Sequence, residues 1–180
     1  GTCSEQKNTA FSSSIQLFSQ WRREELDSTH FFIQWKPGKQ FFGCTPETLF
    51  HRTADSIQTE ALAGTTRRDA DSEKDQWLGS KLLHDSKNQK ENHAVERYIN
   101  YQLQPLTRGP VINHQMILKK LARVQHLCRP ISARLNAGTS TTDLLKALHP
   151  TPAVAGLPLQ MARNFIRKEE AFPRGWYTGT

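Results

Sequence analysis

Long apolar runs are missing from this 180-residue chain, in which apolar residues make up only 36% of the total. Nothing approaches the ~20 residues that a membrane-spanning helix needs, so no membrane association is expected and a water-soluble domain is. Cysteine is scarce as well: Cys3, Cys44 and Cys128 are odd in number and far apart, with no CxxC pair and no metal-ligand spacing. A disulfide framework and a cysteine-rich zinc site are thereby excluded, and a reducing compartment fits. The first residues also lack the charged-then-apolar layout of a secretory signal, so the expected location is cytoplasmic. Without an internal repeat, a low-complexity tract or an obvious interdomain linker, residues 1–180 are taken as one unit.

Acidic residues are in short supply relative to basic ones, 17 against 24, which leaves a net charge of +7. Such an excess favours an anionic partner, whether nucleic acid, phosphate or a small carboxylate. The basic residues are scattered in pairs (Arg22-Arg23, Arg67-Arg68, Lys119-Lys120), and no helix-turn-helix, zinc-finger or aromatic ribonucleoprotein motif accompanies them. Nucleic acid is therefore only a minor alternative.

What is present reads as strands in a run followed by helices in a run. Helical spacing of Ile15, Leu17, Phe18 and Trp21 predicts a helix over 12–26. Aromatic and β-branched segments at 30–35, 40–43, 49–52 and 56–62, parted by "KPGK" and "TADS", predict an antiparallel meander. Helices are expected over 72–84 and 86–104, the second opened by a capping box between Ser86 and Gln89. An extended stretch over 117–135, a short helix started by Ser140 and Asp143, and a last one from Pro158 to about residue 170 complete the pattern. This order implies an α+β fold with an antiparallel sheet and packed helices.

Three segments carry candidate chemistry. In "SIQTEALAGTTRR" the side chains shrink to Ala61, Ala63 and Gly64 before Thr65, Thr66, Arg67 and Arg68. Either a strand ends there in a glycine turn with a solvated basic tail, or an anion lies against bare main chain at Gly64. On the helix from Ser86, a step of four back from Val95 lands on Glu91, which places that carboxylate at the edge of the buried face. Glu91 then serves the helix dipole or has a metal or basic companion. In "FFGCTPETLF", Pro46 fixes the backbone before Glu47, and Phe41, Phe42 and Phe50 flank it. Glu47 is a turn residue, or an acid whose pKa desolvation raises toward a proton donor's.

Taken in order, "FFGCTPETLF", "TEALAGT", "KNQKENHAVERYI", "VQHL", "HPTPAVAGLP" and "RGWYTG" resemble the motifs of the chorismate-utilising enzymes. Within that family "TEALAGT" and "HPTPAVAGLP" look most like the isochorismate synthases, especially the menaquinone-pathway type; ammonia-using members more often carry a Pro-Ile-Ala-Gly-Thr-like segment. The resemblance implies the anthranilate synthase component I-like chorismate-binding fold, chorismate as small-molecule partner and Mg²⁺ as cofactor. It implies that Glu47 is the general acid at the departing C4 hydroxyl and that Glu91 is a Mg²⁺ ligand. Gly64 and Thr65 would contact substrate through backbone and hydroxyl, Tyr177 would bind the enolpyruvyl carboxylate, and His126 would stand beside the ring near the leaving group. Outside the motif, His126 reads as a core histidine and Tyr177 as a strand aromatic. Glu60 is read as supporting or structural, and Arg67 and Arg68 as solvated charge.

Two departures accompany the match. The family's lysine base should precede Phe11, where this chain has "GTCSEQKNTA" and Lys7 falls in the wrong place. The expected carboxylate-binding arginine, Gly-Ala-Gly turn and further acidic ligands would follow "YTGT". Residues 1–180 are thus expected to be the central part of a catalytic domain and inactive alone. The alternatives are an anthranilate or aminodeoxychorismate synthase subunit that takes ammonia, and a non-catalytic binding remnant. Pathway (menaquinone, siderophore or salicylate) and oligomeric state are left open.

Overall fold

The computed structural model describes residues 11–171 and 174–177; Cys3, Lys7 and the end of "RGWYTG" lie outside them. The described chain divides into two compact units, residues 11–47 with 174–177 and residues 48–171.

In the first unit, α1 (Phe11–Glu24) packs on a hairpin of β1 (Thr29–Lys36) and β2 (Lys39–Thr45). Alternation along the strands sorts the aromatics to two faces. Phe18 and Trp21 of α1 meet Phe42, and Phe18 also meets Phe32, with ring centroids 5.4–6.4 Å apart. On the opposite face Trp176 meets Trp35 and Phe41. The hairpin is therefore held by ring contacts on both sides, each worth about 0.5–1.5 kcal/mol beyond the area it buries.

The second unit contains β3 (His51–Thr53), β4 (Ser56–Arg67), α2 (Ser72–His84), α3 (Ser86–Leu103), β5 (Ile112–Asn113), β6 (Ile117–Lys120) and β7 (Val124–Arg134). It continues with α4 (Thr141–Leu148), α5 (Pro152–Ala155) and α6 (Leu159–Glu169). Its antiparallel sheet runs β3-β4-β7-β5, with β6 also paired to β7. The expected single meander is corrected here: β1 and β2 form their own two-stranded sheet, and β4 pairs with β7, far along the chain. Helices α2 and α3 connect β4 to that distant partner and lie against the sheet. Ile57, Ala61, Ile131 and Ala133 of the strands close with Val95, Ile99 and Leu103 of α3 and Leu144 and Leu148 of α4 into one buried core. Full burial of each large aliphatic side chain contributes about 1.5–3 kcal/mol.

Local signals set the helix ends. Ser140 and Asp143 form the expected capping box at α4. At α3 the cap is Asp85 rather than Ser86: its carboxylate accepts the Asn88 amide at 2.8 Å, while Gln89 bonds the Leu83 carbonyl instead. A carboxylate one residue earlier reaches the same orphan N–H groups with added dipole stabilisation. Among the described residues no helix is long and apolar enough to cross a membrane.

Candidate functional site

The centre of the second unit is an irregularity in the β4–β7 ladder. Leu62 pairs with Cys128 and Thr65 with His126, so Ala63 and Gly64 on β4 stand opposite Leu127 alone. This is a β-bulge, two residues facing one. Gly64 takes φ +90, and a Cβ there would lie 3.0 Å from the Asn88 Cβ and 3.2 Å from Leu127 Cδ1. Only glycine fits both the conformation and the space. The bulge also inverts the side-chain alternation. Before it, even-numbered Leu62 shares a rung with Cys128; after it, odd-numbered Thr65 shares one with His126. Without the extra residue Thr65 would point to the opposite face of the sheet.

The inversion brings the Thr65 hydroxyl to 2.8 Å from His126 Nδ1. His126 is half-buried, and burial first, then the Lys119 ammonium, holds its pKa below the ordinary value of 6.5 against the opposing pull of Glu60. The imidazole is thus neutral at neutral pH and able to donate or accept, and its buried Nε2 has no hydrogen-bond partner among the described residues. In the neighbouring strand Lys119 is the register partner of His126. Its ammonium lies 2.7 Å from Glu60, whose other oxygen accepts the Cys128 thiol at 3.4 Å. Burial and that carboxylate push the Cys128 thiol up to about 12. Glu60 also accepts the Thr48 amide. It is therefore a tied-down anion, in keeping with the supporting role read from the sequence.

Past the bulge the same ladder ends in a second charged cluster. Buried Asp75 accepts Arg68 Nε at 2.7 Å, Lys120 Nζ at 3.0 Å and the Asp69 amide, which hold its carboxyl far below the usual range. The reading of Arg68 as solvated charge is corrected by this pair; Arg67 is exposed.

Gly64, Thr65 and His126 are thus brought together, and Glu91 is placed one turn beyond Asn88 on α3 of the same unit. Its side chain is 52% exposed, with Lys87 3.8 Å away. The expectation that Glu91 edges the buried face does not hold. The buried stripe of α3 is Asn92, Val95, Glu96, Ile99 and Leu103, so the inward step from Val95 is three residues, to Asn92, and Glu91 is turned roughly 100° away. An exposed carboxylate still suits Mg²⁺, which takes one or two carboxylates and completes its shell with water and ligand oxygens. Among the described residues no group of three or more His, Cys, Asp or Glu is placed to hold a metal.

Glu47 and Tyr177 belong to the first unit. Glu47 follows β2 in a half-buried loop, its amide donating to Thr45 Oγ1 at 3.3 Å. Tyr177, also half-buried, closes a turn in which its amide bonds the Arg174 carbonyl.

Comparison with known proteins gives one consistent set. The sequence profile described as chorismate binding enzyme matches residues 4–180. The isochorismate synthase MenF of Pasteurella multocida is 41% identical over 174 residues, covering 97% of this chain and 40% of that protein. The structure of the menaquinone-specific isochorismate synthase MenF of Escherichia coli superposes with a TM-score of 0.81 at 38% identity, over 88% of this chain and 36% of that one. Anthranilate synthase component I of Streptococcus pneumoniae shares the fold, with a TM-score of 0.77 at 23% identity over 92% of this chain and 36% of that one. The chain spans between 28% and 42% of the length of the curated relatives it matches.

Proposed function

The chain belongs to the family of chorismate-binding enzymes, and from that premise we propose that the full-length protein is an isochorismate synthase. Water adds at C2 of chorismate, the ring double bonds shift, and the C4 hydroxyl leaves as water after taking a proton. The observation that carries the reading is the bulge at Gly64: main chain free of a side chain beside a hydroxyl and a neutral imidazole, in a chain whose net charge is +7. That is a place for a small carboxylate with a polar ring, and the two relatives above that exceed 30% identity are isochorismate synthases.

Each residue has a defined task in this reading. The Gly64 main chain and the Thr65 hydroxyl bind and orient the substrate. His126, held neutral by burial and Lys119, lies beside the ring without adding charge near the leaving oxygen. The Glu47 carboxyl donates the proton to the C4 oxygen, and the Tyr177 hydroxyl binds the enolpyruvyl carboxylate. Glu91 contributes one carboxylate to Mg²⁺, which when bound offsets the charge of the ring carboxylate. No described residue is assigned as the base that takes the proton from water.

The test is chorismate turnover by the full-length protein, with and without Mg²⁺, in water alone or with ammonium added. Isochorismate as product in both solutions is expected, and Glu47→Gln should lower kcat about a hundredfold or more while KM stays near its starting value. An aminated product would overturn the choice of nucleophile, and an equally fast Gln variant would remove Glu47 as the acid.

A further inference from the structure

A bulge normally leaves main-chain groups without ladder partners, and buried carbonyls in that state are unfavourable. Here the unmatched residues are Ala63 and Gly64 on one strand and Leu127 on the other. One side chain from α3 meets them. Asn92 is fully buried, and the two hydrogens of its Nδ2 are shared among the carbonyls of Ala61 at 2.9 Å, Leu127 at 3.1 Å and Ala63 at 3.3 Å. Both strands are thus bonded by one amide at the point where their own ladder is interrupted. One turn earlier Asn88, fixed by two bonds to Asp85, presses against Gly64. Asn92 Oδ1 has no hydrogen-bond partner among the described residues, so the position retains an amide although one of its two polar ends is left unsatisfied. An unsatisfied buried acceptor is destabilising, which argues that the donor end is the reason for the residue.

We propose that Asn92 is a positioning residue: its amide replaces the ladder bonds lost at the bulge, and so fixes the main chain of Gly64 and the face on which the Thr65 hydroxyl stands. It touches no substrate. Its effect passes through the strand to the anion-binding backbone, and to that extent the inference rests on the proposed function. Because one residue of slippage would return Thr65 to the other face, loosening the bulge should weaken substrate binding more than it slows the proton transfer at C4.

The test uses Asn92→Leu, close in volume but without donors, in the full-length protein. Backbone amide exchange by mass spectrometry should quicken at 62–66 and 125–128, while the segments of Ile99 and Ile131 keep their protection. With chorismate, KM should rise about tenfold and kcat fall less than about threefold. Unchanged exchange at the bulge, or a fall in kcat with KM unaltered, would overturn the proposal. Should Asn92→Leu fail to fold, the parent protein decides: with selective ¹⁵N-asparagine labelling, the Asn92 side-chain NH₂ should resist solvent exchange, and exchange as fast as an exposed asparagine's would refute the clasp. Exchange results of the expected kind in a protein that does not turn over chorismate would uphold the clasp and overturn the enzymatic reading alone.

Discussion

The β4–β7 ladder has two halves, one on each side of the bulge, and they differ in kind. From Ser56 to Leu62 the pairing is regular, and Ile57, Ala61, Ile131 and Ala133 turn inward to a core that α3 and α4 complete. From Thr65 to Arg67 the rungs carry a hydroxyl, an imidazole, a fully buried Gln125 and, beyond them, Asp75 with its two cations. The inward face of the first half is stabilised by water expelled from apolar surface, while Glu60 on its other face pairs with Lys119. Specific hydrogen bonds and ion pairs fix the second, and they determine which way each polar group points. A continuous strand pair thus serves two ends: the apolar half anchors the domain, and the polar half, set off by one extra residue, presents chemistry.

The comparison breaks most visibly in the apolar half. Ile131→Ala should leave a cavity in a core that cannot collapse around it, with a loss of about 2–5 kcal/mol in chemical denaturation. Gly64→Ala strikes the junction. It forces a side chain into φ +90 and against Asn88, which should lower stability by about 1–3 kcal/mol. A Gly64→Ala protein as stable as its parent would mean that the bulge is softer than its geometry indicates. The smallest effect belongs to the polar half and shows only as a slope. As pH falls below 6.5, the unfolded chain protonates His126 before the folded one does, so wild-type stability declines down to the folded pKa. His126→Gln should remove that share of the decline and leave stability at neutral pH within about 0.5 kcal/mol of its starting value. A steeper acid loss in the variant would reverse the assigned direction.

The regular half was readable from sequence and the bulge was not. The strand expected over 56–62 and the helix expected over 72–84 stand where they were placed, although the strand runs on past Leu62. Which strands pair is a non-local fact: β2 and β3 are close in sequence yet join different sheets, while β4 and β7 meet across two helices. The small residues before Thr65 raised the question of close approach, and a glycine inside a strand pattern is itself a sign of a bulge. Nothing in the segment alone told that the strand would run on to Arg67 with its parity inverted. Glu91 was misplaced by counting back four from Val95 where the helix surface needed three. The same count, correctly made, would have found Asn92. Glu60 was singled out, but its pairing with Lys119 escaped because it crosses from β6 to β4, a distance along the chain that spacing cannot bridge.

Cys128 closes the regular half. It pairs with Leu62 on the last rung before the bulge, it is 2% exposed, and its thiol is pushed up to about 12 by burial and Glu60. At neutral pH the native protein therefore holds almost no thiolate there, and an alkylating reagent finds neither the nucleophile nor a path to it. Reaction at Cys128 requires the strands to part. The chain thus carries its own clock: the rate at which an added alkylating reagent modifies this sulfur counts the openings of the rung beside the bulge, with no residue substituted.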